Sequence, residues 1–211
     1  MQLSVVIPTY SATVELTTMA LTLVKQIRGM CDEIVVTEDG FYNKDLKEAA
    51  DTYLIHPRLG HAKNLNLGFR ASSGDYVGIL DSDVVICAGT LRDLCIPGRV
   101  VSGKWREQGQ YEGFRAWCCV IPRSIFEIPR YAIDQSHEGL DGWLDNCDVF
   151  TWSDKIEFSH HGSTSYAEQR RLGEQVERER QLLHPNKEVS TDRHRARLVE
   201  DPAYRKQWEN S

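Results

Sequence analysis

The sequence predicts an α/β protein: a mostly parallel sheet flanked by helices, with a charged helix at the carboxyl end. Three observations carry this. Short β-branched runs alternate with helix-period segments over the first 85 residues. Each of those runs ends in polar or turn residues. From residue 163 the composition shifts to dense mixed charge, with 10 Lys+Arg and 9 Asp+Glu in 49 residues. Strand–helix alternation of this kind builds parallel strands joined by right-handed crossovers.

The elements follow in order. LSVVI (3–7) is a β-branched strand closed by Pro8-Thr9-Tyr10. Residues 12–28 suit a helix, because Leu16, Met19 or Ala20, Leu23 and Ile27 recur every three to four positions, and Gly29 follows as a stop. EIVVT (33–37) is a second strand, ended by Glu38-Asp39-Gly40. KDLKEAAD (44–51) reads as a short helix and TYLIH (52–56) as a third strand. HAKNLNLGFRA (61–71) suits a helix stopped near Ser72-Ser73-Gly74. Tyr76 to Leu80 is a fourth strand, running into Asp81-Ser82-Asp83. Beyond residue 86 the rhythm is lost. GRVVSGKW (98–105), FRAWCCVI (114–121) and KIEFS (155–159) look strand-like, the last running into His160 and His161. SYAEQRRLGEQVERERQLLH then reads as a charged helix with a thin stripe of Leu172, Val176 and Leu183 and an i,i+4 pair of Glu174 and Arg178. It is broken at Pro185-Asn186.

Bulk composition narrows the function classes. A chain of 211 residues, 41% hydrophobic and 27% charged, is ample for a buried core. A net charge of −6 argues against nucleic acid as a partner held by a global basic field. No apolar run approaches the ~18–20 residues of a membrane span. The opening MQLSVVIPTY lacks a basic stretch and reads as a strand, not a secretory leader. Six cysteines without CxxC or zinc spacing read as reduced thiols of a cytoplasmic protein.

In open α/β sheets, ligands bind beyond the carboxyl ends of the strands. Here the four strand ends carry Thr9, Asp39, Pro57-Arg58, and Asp81 with Asp83. On an extended chain, Asp81 and Asp83 would fall on the same side. Two carboxylates held together repel unless a cation sits between them. Hard divalent cations such as Mg2+ and Mn2+ take oxygen ligands and share them with phosphates. The turn after the first strand, PTYSATVE, is not the dinucleotide GxGxxG. No GxxxxGK[ST] or GxSxG occurs.

VVIPTY (5–10), EIVVTEDG (33–40) and LGHAKNLNLGFRASSGDYVGILDSDV (59–84) together resemble the family 2 glycosyltransferases of the GT-A fold. The resemblance is good over residues 2–90 and followable to about 165. It implies a nucleotide-diphosphate-sugar donor, UDP-linked by preference, and transfer with inversion to an acceptor hydroxyl. By that resemblance, Pro8, Thr9 and Tyr10 hold the nucleoside edge. Asp39 accepts from the base, with Glu38 as a rival because the stretch is one residue longer than the common form. Lys63 lies near the donor. Asp81, Ser82 and Asp83 form the donor and metal loop, with Asp81 shared between ribose and metal and Asp83 on the metal. A histidine after the last strand implies a further ligand to Mn2+ or Mg2+, His160 before His161. The resemblance puts the general base in HEGLDGWLDNCD (137–148), where Asp141 matches best and Glu138 and Asp145 follow. The usual Glu-Asp pair is here Leu140-Asp141. Lys104, Arg106 and Arg115 are candidate basic groups to assist the leaving diphosphate, and the sequence does not choose among them. Trp105, Tyr111, Trp117 and Trp143 lie near the expected acceptor side, where a ring can stack on a sugar face, although for each one core packing is the commoner role.

The expected organisation is a GT-A domain over 1–165, with a nucleotide-binding half (1–90) and an acceptor half (91–165), then a helical extension and tail over 166–211. That extension offers a surface for homo-oligomerisation. Two other functions share parts of the pattern. A sugar nucleotidyltransferase uses a similar sheet and metal carboxylates, but its Gly-rich amino-terminal loop with Arg and Lys is missing here. A catalytically inactive nucleotide-sugar-binding protein would keep the fold, but the retained Asp39, Asp81, Asp83 and Asp141 argue against it.

Overall fold

The computed structural model describes residues 1–56, 61–106, 118–126 and 150–161. Met1–Gly162 form one compact unit. The expected boundary near 165 and the carboxyl-terminal charged helix lie outside the described residues.

The first strand, β1, spans Leu3–Thr9, and the helix α1 follows at Val14–Ile27. The Thr13 hydroxyl accepts the Leu16 N–H at 3.2 Å and so caps α1. Leu16, Ala20, Leu23, Val24 and Ile27 form its buried stripe, which selects Ala20 over Met19 as the inward residue. β2 is Glu33–Asp39, α2 Lys44–Ala49 and β3 Thr52–His56. α3 is His61–Ala71 and β4 Tyr76–Leu80. These elements stand where the alternation puts them.

Two differences have physical causes. β1 continues through Pro8, although a proline cannot donate to a ladder. Its pairing with β4 ends at Val6, so Pro8 lies where β2 alone flanks the strand. A further strand, β5 (Val84–Ala88), starts directly after Asp83. It leaves the parallel rhythm because its partner is distant in sequence: it pairs antiparallel with β8, Phe150–His160.

β6 is Val100–Trp105 and β7 is Cys118–Pro122. Leu91–Leu94 form a 3-10 turn, and α4 is the short Arg123–Phe126. Among the described residues the sheet has eight strands in the order β3-β2-β1-β4-β7-β6-β8-β5. Four of the seven strand pairings are parallel: β1 with β2 and β4, β2 with β3, and β6 with β8. β7 runs antiparallel to both its neighbours, which ends the doubly wound half.

Each face of the sheet is covered. Leu3, Val5, Ile7, Ile34 and Val36 pack with the α1 stripe. Val6, Val35, Val77 and Ile79 pack with Leu65 and Phe69 of α3. Alternation along β1 and β2 makes this split. α3 lies very close to β1 at Gly68, where an added Cβ would stand 2.2 Å from Val6 Cγ1.

None of the five described cysteines forms a disulfide. Burial pushes the Cys118 thiol up to about 12, and the Cys31 and Cys95 thiols to about 11. These groups behave as core thiols and not as nucleophiles.

Candidate active site

The carboxyl ends of β1, β2 and β4 carry several of the residues expected at the site. Asp81, Ser82 and Asp83 do not continue β4. They form a turn in which the Val84 N–H donates to the Asp81 carbonyl at 3.0 Å. The two carboxylates therefore converge by turn geometry, not by strand alternation as the spacing suggested. A chain that must reverse from β4 into β5 within three residues cannot stay extended.

β5 then pairs with β8 so that Val84 stands opposite His160. This places the imidazole over the turn: His160 Nε2 is 3.2 Å from Asp83 Oδ1 and 3.6 Å from Asp81 Oδ2. The His161 backbone N–H donates to the Asp83 carbonyl at 3.1 Å. His161 itself is exposed, so of the two histidines the fold brings His160 to the aspartates. A side chain the sequence did not single out anchors β5. Gln26 Nε2 donates to the Ile86 carbonyl at 2.6 Å, and the Ile86 N–H donates to Gln26 Oε1 at 3.0 Å. The amide thus completes both main-chain bonds of Ile86 on an edge strand.

Asp83 is 3% exposed and the His160 side chain 12%. Burial alone would push the imidazole down. The hydrogen bonds to Asp81 and Asp83, with the charges of both carboxylates, outweigh burial and raise it from 6.5 to about 9. A proton on His160 therefore balances the pair in the metal-free protein. Among the described residues, Asp81, Asp83 and His160 are the group whose ligand atoms suit a metal, all within 4.8 Å of one another. Two carboxylate oxygens and one imidazole nitrogen fit a divalent cation, which would take the place of that proton.

The residues expected to form a nucleoside edge lie at the ends of β1 and β2. Pro8, Thr9 and Tyr10 are buried, and Tyr10 packs edge-on against Phe41 with ring centroids 5.3 Å apart. Glu38 is fully buried and faces the α1 side, accepting from Thr9 Oγ1 at 2.8 Å and from the Ser11 N–H at 2.9 Å. Asp39, the next residue, faces the α3 side and is partly exposed, in register with His56. Glu38 is thus engaged within the protein, and its rivalry with Asp39 takes a structural form. Lys63 lies on α3. Its neighbour Asn64, 2% exposed, donates through Nδ2 to the Thr37 carbonyl at 2.8 Å, tying α3 to β2.

Arg106 is ion-paired with Glu157 at 3.1 Å, Lys104 is exposed, and Trp105 packs against the core. Asp141, Glu138, Asp145, Arg115, Tyr111, Trp117 and Trp143 lie outside the described residues. No helix among the described residues is long and apolar enough to cross a membrane.

Comparison with solved structures gives the fold independently. Glucosyl-3-phosphoglycerate synthase from Mycobacterium tuberculosis, in complex with Mn2+, UDP and glucosyl-3-phosphoglycerate, is 15% identical with a TM-score of 0.54, over 76% of this chain and 72% of that one. The mannosyltransferase PcManGT from Pyrobaculum calidifontis, in complex with GDP-Man and Mn2+, is 16% identical with a TM-score of 0.57, over 75% of this chain and 56% of that one. TarS of S. aureus is 17% identical with a TM-score of 0.57, over 76% of this chain and 36% of the longer protein. No curated protein matches the chain in sequence. The family model described as glycosyl transferase family 2 matches residues 4–95. That segment resembles glycosyltransferase family 2, and the sheet around it has the GT-A fold of the similar solved structures.

Proposed function

We propose that the chain is a metal-dependent inverting glycosyltransferase. It would move a sugar from a nucleotide-diphosphate donor, UDP-linked by preference, to an acceptor hydroxyl. The observation that carries this reading is the convergence of Asp81, Asp83 and His160 at the end of β4 in a GT-A sheet. That the similar mycobacterial synthase was solved with UDP and Mn2+, and the mannosyltransferase with GDP-Man and Mn2+, supports a nucleotide-sugar donor.

The roles divide by position. Thr9 and Tyr10, with Pro8, form the nucleoside edge. Asp39 accepts from the base N–H, a charge-assisted hydrogen bond. Asp81 serves ribose and metal, Asp83 and His160 hold the metal, and Ser82 sets the turn between the carboxylates. A Mn2+ or Mg2+ held by Asp81, Asp83 and His160 would supply charge neutralisation for the departing diphosphate. The imidazole favours Mn2+. Lys63 lies on the helix facing the donor. Asp141 removes the acceptor proton as the hydroxyl attacks the anomeric carbon, with Glu138 as the next choice. The bond formed is acceptor oxygen to anomeric carbon. The bond broken is anomeric carbon to phosphate oxygen, and the diphosphate leaves with its electron pair. Residues 1–165 would be the transferase domain, and the segment after 165 a helical extension suited to self-association.

A thermal-shift screen of UDP-, GDP- and TDP-sugars with Mn2+, followed by assay of sugar release, tests the reading. Stabilisation by one nucleotide series and release of its sugar are expected. Binding with no release or transfer under any condition would indicate an inactive binding protein.

A further inference from the structure

The geometry points to Glu38 as a positioning residue: its carboxylate clamps Thr9 and Ser11 on either side of Tyr10 and so presets the loop that meets the donor's nucleoside. This role rests on the glycosyltransferase reading above and extends it to a residue that touches no substrate.

Register and alternation place the clamp. Thr9 and Glu38 are direct partners across β1 and β2. Both face the α1 side, in line with Ile7 and Val36. Beyond Thr9 the chain leaves the sheet, so Tyr10 and Ser11 have no ladder to hold them. Glu38 Oε2 takes the Thr9 hydroxyl at 2.8 Å and Oε1 takes the Ser11 N–H at 2.9 Å. The Thr9 hydroxyl also lies 3.2 Å from the Thr37 carbonyl.

Two features argue that this is more than core filling. Two donors need two acceptor oxygens on one rigid head, which a carboxylate supplies and a carboxamide does not. The group is also retained at a cost. Burial pushes its carboxyl above the usual range, and the Ser11 and Thr9 hydrogen bonds counter that only in part. An apolar residue would fill the same space without a buried charge.

The stretch grips Tyr10 a second time. Gly40 turns the chain with φ 108, a conformation that favours glycine. Phe41 then stands edge-on to Tyr10 at 77° between planes. The segment Glu38–Phe41 therefore holds the loop by two hydrogen bonds on one side and by a ring contact on the other. Asp39, between them, projects toward the α3 face.

The test compares the wild-type chain with Glu38→Gln and Glu38→Asp. Affinity for UDP and GDP with Mn2+ is measured by calorimetry, Mn2+ alone by electron paramagnetic resonance, and turnover as KM and kcat for the donor. Loss of one charge-assisted bond weakens nucleotide binding by about tenfold. Both variants should show this loss, with a matching rise in donor KM. Mn2+ affinity and kcat should stay within about twofold of wild type, because Asp81, Asp83 and His160 belong to other elements. Should Glu38→Gln fail to fold, Glu38→Asp gives the same reading, since it keeps the charge but draws the carboxylate one methylene back from the Thr9 and Ser11 donors. Folded variants with wild-type nucleotide affinity overturn the role. So does a parallel loss of Mn2+ and nucleotide affinity, the sign of general damage. A wild-type chain that binds Mn2+ but no nucleoside diphosphate overturns the glycosyltransferase reading itself, and the clamp's role falls with it.

Discussion

His160 Nε2 lies 3.2 Å from Asp83 Oδ1, a contact made because β5, which starts right after Asp83, pairs with β8. The contact links stability, metal binding and pH. The imidazole is raised from 6.5 to about 9 when folded without metal. A raised pKa contributes stability that is complete below the unfolded value and is lost as pH rises through the folded one. Metal-free protein should therefore lose melting temperature between pH 6.5 and 9, relative to a His160→Asn variant. Over the same window Mn2+ affinity should rise, because the ion and the proton compete for Nε2. Thermal unfolding in chelator and Mn2+ titrations at several pH values measure both. Parallel pH curves for the wild type and the variant would contradict the linkage.

Asp83 and His161 should behave differently although both contact the turn. Asp83 contributes a buried carboxylate, while the fold uses only the backbone N–H of His161. On the proposed reading, Asp83→Asn should lower Mn2+-dependent transfer by about 100-fold or more, since it removes an anionic ligand of the proposed ion. His161→Ala should leave Mn2+ dependence within about twofold of wild type, the backbone bond being kept. Metal-titrated turnover of the two variants decides between them.

Gly68 predicts a stability effect separate from the chemistry. A Cβ there would stand 2.2 Å from Val6 Cγ1 and 3.1 Å from Thr37 Cγ2. Val6 is wholly buried in the centre of the sheet and cannot turn away. Gly68→Ala should cost about 1–3 kcal/mol, the usual range for overpacking. Urea unfolding with unchanged slope and a lower midpoint is the expected record. A midpoint equal to wild type would mean that α3 shifts outward freely.

The alternating half of the fold was readable because each strand and helix there is set by local periodicity. Leu16, Ala20, Leu23 and Ile27 announce α1 without any distant contact. β5 was not readable. Its five residues earn their place only by pairing with β8, more than sixty residues later, and by the Gln26 amide that seals Ile86. The site divides the same way. Asp81 and Asp83 stood out by spacing, yet their convergence is a turn property. Two adjacent carboxylates, Glu38 and Asp39, could not be told apart in sequence, since nothing local says which face each takes. The Thr9 and Ser11 donors make the difference visible. His160 and His161 are likewise separated only by the register of β8 against β5.

Asp141 carries the prediction closest to the chemistry. Inverting transfer needs one carboxylate to take the acceptor proton, and the metal cluster cannot serve, because Asp81 and Asp83 face the diphosphate in the proposed arrangement. Asp141→Asn keeps shape and hydrogen-bonding capacity while removing the base. Transfer should fall by about 100-fold to 10,000-fold, the usual range for a general base. Nucleotide affinity should stay near wild type, since Thr9, Tyr10 and Asp39 are untouched. Glu138→Gln run alongside separates the two carboxylates: the base is whichever variant loses turnover while its donor Kd, measured by calorimetry, is preserved. Wild-type turnover in Asp141→Asn would move the assignment to Glu138 or Asp145. Loss of binding together with turnover would instead place Asp141 among the donor contacts.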